Sequence, residues 1–245
     1  MPAQSTPSSV STPVRAVILD VYHTLLQAAP GPSAPDAAAR WNQLWHRTFA
    51  QAASPAPPVS PSLVEFNTAC RTETALDHSL KKTAGIRHPE VDWPTIATRA
   101  APVLGTLTTG ELDRFLTAHA TLERTCSAMP GALSFLFHVK HFGLLTGIAS
   151  NAQHYTLNEM RAAGMPPEDF DPGLCFWSWR KGFSKPDPGV FEWLTRRLAA
   201  RGIAPHEILM IGDRLDNDIL PARAAGWQTW HFTGIWPEFP LNDGG

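Results

Sequence analysis

Asp20, Thr24, Ser150, Asn151, Lys185, Asp213 and Asp218 are the residues of this 245-residue chain whose types and placement could do chemistry together. Asp20 ends the apolar run Ala16-Val17-Ile18-Leu19 and opens the string Asp20-Val21-Tyr22-His23-Thr24. Ser150-Asn151 follows a second apolar run, Lys185 stands in Lys185-Pro186-Asp187-Pro188, and Asp213 follows a third run in Gly212-Asp213-Arg214-Leu215-Asp216-Asn217-Asp218. Carboxylates, hydroxyls and an ammonium, each delivered by a separate strand–loop unit, could hold a phosphate or another anion. A carboxylate can also attack phosphorus or carbon when the electrophile is held in line and its charge is neutralised. Singly, each residue has a plainer reading. Ser150 could be an N-cap, Lys185 a loop charge, and Asp216-Asn217-Asp218 the acidic start of a helix. The plainer reading is adopted for Asp216 alone.

Short β-type apolar runs at 16–19, 144–149, 174–177, 208–211 and 229–232 alternate with helical patterns at 131–141, 152–163, 188–200 and 216–225. The helix at 188–200 has Pro near its start and Gly202 after its end, the expected asymmetry. Strands alternating with helices predict an α/β fold with a doubly wound parallel sheet, Rossmann-like in plan. Ligands of such sheets bind beyond the carboxyl ends of the strands, where Asp20, Ser150 and Asp213 all fall. From 36 to 123 the pattern turns helical. Asp36 is expected to cap a helix carrying Trp41, Leu44, Trp45 and Phe49; four prolines interrupt 54–61; helices are expected at 62–84, 93–104 and 111–123. The expected division is a tail at 1–13, an α/β core at 14–27 and 126–245, and an all-helical insert at 28–125. Residues 1–13 lack the basic start and apolar stretch of a signal peptide and read as a flexible tail.

The formal net charge is −2 and no basic stripe interleaves with aromatics, so neither nucleic acid nor an anionic membrane surface is an expected partner. No apolar stretch approaches the roughly 20 residues of a membrane helix. Cys70, Cys126 and Cys175 are an odd number without CxxC spacing, which disfavours a disulfide framework or a zinc site and fits a reducing, cytoplasmic setting. The ten histidines show no ligand spacing; His138 and His141 lie a turn apart on an amphipathic helix and read as surface. The expected partner is a small anionic molecule, and the chain a monomer or homodimer.

Taken in order, the four segments resemble the motifs of the haloacid dehalogenase-like (HAD) hydrolase superfamily. The first motif is matched by Asp20, Tyr22 and Thr24, the second by Ser150, the third by Lys185-Pro186 and the fourth by Gly212-Asp213 with the later Asp218. The gap between the first two leaves room for a helical cap. The resemblance implies that Asp20 is a nucleophile forming a covalent aspartyl intermediate. It implies that Thr24, Ser150, Asn151 and Lys185 bind the transferring group. It also implies that Asp20, the Tyr22 carbonyl and Asp213 ligate a metal, with Asp218 in its outer shell or bracing Lys185.

Charge balance agrees: several carboxylates near one lysine would raise one another's pKa, and Mg²⁺, a hard cation held by a few carboxylates, removes the conflict. Two positions depart. Many phosphatases of the family carry an acid–base Asp where this chain has Tyr22, and the dehalogenase branch has Tyr there because halide leaves without a proton. His23 stands where Gly is frequent; it could supply a proton or merely pack. The leading expectation is a Mg²⁺-dependent phosphatase of a small metabolite. A metal-independent 2-haloacid dehalogenase comes next, then a weakly active or inactive relative that binds a ligand. Arg40, Arg47 and Arg71 could reach an anionic substrate from the cap, though a solvated face is the plainer role for each; Trp177 and Trp179 could line a pocket, though packing is the plainer role for both.

Overall fold

Strand β1 (Ala16–Leu19) is buried along its whole length and lies at the centre of a parallel sheet. The computed structural model describes residues 13–51, 58–122 and 124–237; the expected tail, except Pro13, lies outside them. After β1 come β2 (Leu26–Pro30), α1 (Ala34–Gln51), α2 (Leu63–Thr83), α3 (Trp93–Ala100), α4 (Thr109–Ala120) and β3 (Arg124–Ala128). Then follow α5 (Ala132–His141), β4 (Leu145–Ser150), α6 (Thr156–Ala162), β5 (Cys175–Trp177) and α7 (Ser178–Lys181). The last elements are α8 (Pro188–Ala199), β6 (Ile208–Gly212), α9 (Leu220–Ala224) and β7 (Gln228–His231). The main sheet has the order β5-β4-β1-β6-β7, every pair parallel.

The period-two alternation of β1 divides the core. Val17 and Leu19 pack with Phe135, Leu136 and Val139 of α5 and Met160 of α6. Ala16 and Ile18 point to the opposite face and pack with Val190, Phe191, Leu194 and Leu198 of α8. Helices therefore cover both faces, as near-continuous apolar strands require. A third cluster belongs to the helical insert: Trp41, Trp45 and Phe49 of α1 meet Phe66 of α2 and Phe115 of α4. The Trp41 and Phe66 ring centroids lie 4.9 Å apart, and those of Trp45 and Phe49 5.0 Å apart. His119 is buried among these rings, its Nε2 2.9 Å from Asn67 Oδ1, and burial pushes it down to about 4, so it is neutral at physiological pH. Capping boxes start α2, from Ser62 and Glu65, and α4, from Thr108 and Glu111.

The sequence did not announce β2 and β3. They pair antiparallel, Leu26 against Ala128 and Pro30 against Arg124, as a two-stranded ribbon through which the chain enters and leaves the insert. Both are short and half-exposed, so neither has an apolar run to betray it. Helix α1 begins at Ala34, which puts Asp36 inside the first turn rather than at the cap; Ser33 Oγ donates to its carboxylate at 2.6 Å. Residues 52–57 of the proline-rich break lie outside the described residues. The helix expected at 93–104 ends at Ala100 and continues as a 3-10 turn, Pro102–Thr106. The one expected at 152–163 starts at Thr156, because the five residues after Ser150 form a loop. The one expected at 216–225 is a π-helical turn, Leu215–Ile219, running into α9. Among the described residues no helix is long and apolar enough to cross a membrane, and the three cysteines are free.

Candidate active site

Four loops meet at the carboxyl end of the sheet. Asp20 follows β1, Ser150 ends β4, Lys185 follows α7, and Asp213 follows β6. Asp20 N donates to Ile211 O at 2.9 Å, which ties the first loop to β6. The site surrounds a cavity of about 180 Å³ whose lining includes Asp20, His23, Asn151, Lys185, Asp213 and Asp218.

Lys185 is the hub. Its ammonium is almost wholly buried and donates to Asp20 Oδ1 at 2.7 Å and to Asp218 Oδ1 at 2.6 Å. Burial alone would push the ammonium down, but the two carboxylates outweigh it and hold its pKa above the ordinary lysine value. Burial pushes the Asp20 carboxyl up, Lys185 pulls it back, and Asp218 adds to the rise; the balance is about 6, so Asp20 is ionised at neutral pH. Asp213 is also raised, by burial and then by Asp218, and forms no ion pair among the described residues. One carboxylate oxygen from each of Asp20, Asp213 and Asp218 lies within 4.8 Å of the others. Three carboxylates therefore share one ammonium, a donor set and charge deficit that fit a hard divalent cation. Asp218 takes the bracing place beside Lys185 while standing close enough to the other two to face the same ion. Its second oxygen accepts from Arg214 N at 3.0 Å. A Cβ on Gly212 would lie 2.3 Å from that oxygen and 2.5 Å from Asp218 Cγ, which is why Gly precedes Asp213.

Ser150 Oγ and Thr24 Oγ1 are buried and have no hydrogen-bond partner among the described residues. Buried hydroxyls without partners are rare, and two at the ends of the loops around Asp20 suit donation to an incoming anion. Asn151 lines the cavity but spends its side chain on the Lys185 backbone: its Nδ2 donates to Lys185 O, and its Oδ1 accepts from Lys185 N, both at 2.8 Å. Asn151 thus places Lys185. His23 has φ 60°, in the left-handed region that glycine adopts without steric cost. Its ring borders the cavity beside Asp213.

Tyr22 does not offer its phenol to the cavity floor. The hydroxyl is held by Thr156 Oγ1 and Arg124 Nη2, both at 2.6 Å, and by the Glu159 carboxylate. Arg124 also stacks over the Tyr22 ring, 4.3 Å from its centroid. Burial first, and then Glu159, raise the phenol far above its ordinary range, so it stays protonated. Sequence reasoning missed Arg124, Thr156 and Glu159; they are brought to Tyr22 from β3 and α6 and carry no local signature. Arg40, Arg47 and Arg71 are exposed and none is among the residues lining the Asp20 cavity. Trp177 is buried and packs in the core beside half-buried Trp179. Asp216 is exposed and paired with Arg214 at 2.6 Å, as its plainer reading expects.

A HAD-hydrolase-like family model matches residues 182–233, the segment from Gly182 through the Lys185 and Asp213 loops to β7. A glyceraldehyde 3-phosphate phosphatase of Pyrococcus furiosus is 31% identical over 124 residues, 50% of each chain. A phosphoserine phosphatase of Thermus thermophilus is 32% identical over 112 residues, 45% of this chain and 43% of that protein. The chain thus spans about half the length of the curated relatives it matches. Among solved structures, a HAD family enzyme of Bacteroides thetaiotaomicron superposes with a TM-score of 0.54 at 13% identity, over 91% of this chain and 95% of that one. An aspartate-to-alanine mutant of the same enzyme, complexed with magnesium and inorganic phosphate, gives a TM-score of 0.50 at 12% identity, over 91% and 96%. A parallel sheet with a helical insert and a matched segment spanning the lysine and acidic loops agree on a likeness to the HAD-like hydrolases, which the sequence carries over part of the chain.

Proposed function

We propose that the protein is a Mg²⁺-dependent phosphatase acting on a small phosphorylated metabolite through an aspartyl intermediate. The observation that carries this reading is the convergence of the Asp20, Asp213 and Asp218 carboxylates on one point, where the single ammonium of Lys185 pairs with Asp20 and Asp218 and leaves Asp213 unpaired among the described residues. The likeness of about half the chain to a glyceraldehyde 3-phosphate phosphatase and a phosphoserine phosphatase supports it. Asp20, Asp213 and the Tyr22 carbonyl would hold the metal, with Asp218 behind them. When bound, the metal would neutralise charge on the phosphoryl oxygens and on the carboxylates around them.

The protein's own groups would divide the remaining work. Lys185, fixed on Asp20 Oδ1, leaves Oδ2 of Asp20 to attack phosphorus. The P–O bond to the alcohol breaks as the Asp20–phosphorus bond forms, and the leaving oxygen takes a proton from His23 or from water. Thr24 and Ser150 would donate to the phosphoryl oxygens, and Lys185 would neutralise a third. Water then cleaves the acyl phosphate and restores the Asp20 carboxylate. The helical cap would exclude bulk water while the ester is held.

A phosphomonoester panel with Mg²⁺ and with chelator tests the reading: hydrolysis that requires Mg²⁺ is expected, and equal rates in both would sink the metal claim. Asp20→Asn should lower kcat by about 10⁴-fold or more while leaving the fold intact.

One observation favours a second reading. The locked, protonated phenol of Tyr22 cannot act as the acid–base group that alcohol release calls for, and halide release needs none. Halide liberation from 2-chloropropionate in chelator would establish a dehalogenase. Ligand binding without turnover on either panel would mark a binding protein instead.

A further inference from the structure

The Lys185 loop is gripped from two sides. Asn151 holds it from the core, as described above. From the helical insert, the segment between α2 and α3 lies against it as a short antiparallel pair: Ser184 N donates to His88 O at 2.9 Å, Glu90 N donates to Gly182 O at 3.0 Å, and Pro89 faces Phe183. Glu90 is the centre of this contact. Its Oε2 accepts from the buried Ser178 hydroxyl at 2.9 Å. Its Oε1 accepts from Gln153 Nε2 and from Val91 N, both at 2.9 Å. Gln153 also donates to Val91 O at 3.2 Å and accepts from Trp93 N at 3.2 Å. On the insert side, Lys81 Nζ donates to Glu90 O at 2.5 Å. On the core side, Ser178 Oγ accepts from Ala152 N at 2.9 Å, one residue from Asn151.

One carboxylate thus joins three loops. It touches the loop after β4, which carries Asn151; the turn of α7, which leads into Lys185; and the insert itself. Glu90 is not among the residues lining the Asp20 cavity, so substrate chemistry does not account for it. Carboxylates that are withdrawn from water need compensating donors, and here every donor belongs to a segment that positions the ammonium. Beyond Asn151, the ion pairs of Lys185 and the packing of Phe183 on Phe176, the loop is tied through Gly182 O and Ser184 N to the backbone of the insert.

We propose that Glu90 is a positioning residue that couples the seating of the helical insert to the placement of Lys185 beside Asp20. The catalytic consequence rests on the phosphatase reading above; the structural coupling does not. With the insert seated, Glu90 locks Ser178 and Gln153, the Gly182–Ser184 backbone is paired, and the ammonium is held between Asp20 and Asp218. Without that lock the loop keeps the Asn151 contact, the ion pairs of its ammonium and the packing of Phe183 on Phe176, but loses its tie to the insert.

The test uses the full chain and three variants, Glu90→Ala, Glu90→Gln and Gln153→Ala. Amide hydrogen exchange is read at 151–153 and 182–186, with kcat on the best phosphomonoester and thermal unfolding alongside. Glu90→Ala should speed exchange at 182–186 by about tenfold or more and lower kcat by about 10- to 100-fold, the cost of a small misplacement of a reacting group. Glu90→Gln should restore both to within about threefold, because its carbonyl can accept from Gln153 while its amide donates to Ser178, whose hydroxyl turns to Ala152 O, 3.2 Å away. A purely structural role would lower the melting temperature without raising exchange selectively in these loops. If Glu90→Ala does not fold, Gln153→Ala removes one contact of the Glu90 carboxylate and two further bonds to the insert backbone, and should raise exchange in the same loops. Unchanged exchange and kcat in the folded variants would overturn the proposal. If the wild-type protein hydrolyses no phosphomonoester, the phosphatase reading fails, and exchange alone still decides the coupling.

Discussion

Asp20 is poised by opposing effects of similar size. Burial would neutralise it, and Lys185 keeps it charged, so its pKa of about 6 is a balance that a cation must shift. An acid whose folded-state pKa lies above its unfolded value binds an extra proton when folded. Its contribution to stability is therefore present below about pH 4 and lost as pH rises through about 6. Mg²⁺ competes with that proton. The Mg²⁺-induced rise in melting temperature should be small near pH 4 and reach its full size above about pH 6; a rise independent of pH would contradict the assignment of Asp20 as a ligand. Tyr22 has the opposite character, a phenol fixed by three partners and kept protonated by burial and by Glu159. Tyr22→Phe should destabilise the fold by about 1–3 kcal/mol in denaturant unfolding. It should change kcat by less than about threefold, far short of the roughly 10²–10⁴-fold that removal of an acid–base group produces.

At the scale of elements, the fourth loop shows how backbone geometry makes a charge cluster. β6 ends at Gly212, and the π-helical turn Leu215–Ile219 folds Asp218 back against it, so that Asp213 and Asp218 face one point five residues apart. Gly212→Ala would drive a methyl into the Asp218 carboxylate. The variant should stay folded yet bind Mg²⁺ more weakly and lose kcat by about tenfold or more, as misplaced catalytic groups do; wild-type Mg²⁺ affinity by calorimetry would refute this account. Much of this was legible in the chain. The apolar run before Asp20 and the Gly-Asp string place both residues at strand ends, because a fully buried parallel strand has a recognisable composition. The β2–β3 ribbon was not legible, since its pairing joins residues about a hundred positions apart and neither strand is apolar enough to stand out. The Tyr22 partners on β3 and α6 escaped for the same reason.

For the molecule as a whole, the core and the insert have separate apolar clusters, and the residues that line the Asp20 cavity all come from the core. The insert cluster depends on a few large rings. Phe115 contacts Trp41, Trp45 and Phe66 and is buried. Phe115→Ala should cost about 3–5 kcal/mol, read as a fall in the midpoint of denaturant unfolding; a loss under about 1 kcal/mol would mean that the cluster repacks with ease. The sheet faces behind Asp20 contain none of these rings, so the damage should begin in the insert.

The chain by itself determined the α/β plan, the helical insert and the set of Asp20, Ser150, Lys185 and Asp213, because strand composition, helix spacing and turn residues are local properties. Only the tertiary structure decided what Tyr22, Asn151 and Asp218 do. Tyr22 is locked by Arg124, Asn151 is spent on the Lys185 backbone, and Asp218 shares the lysine with Asp20. Each of those roles is a hydrogen bond between segments far apart in sequence, and the residue types would have allowed several others. A side chain's type limits which bonds it can make; the fold chooses among them by deciding which neighbour arrives.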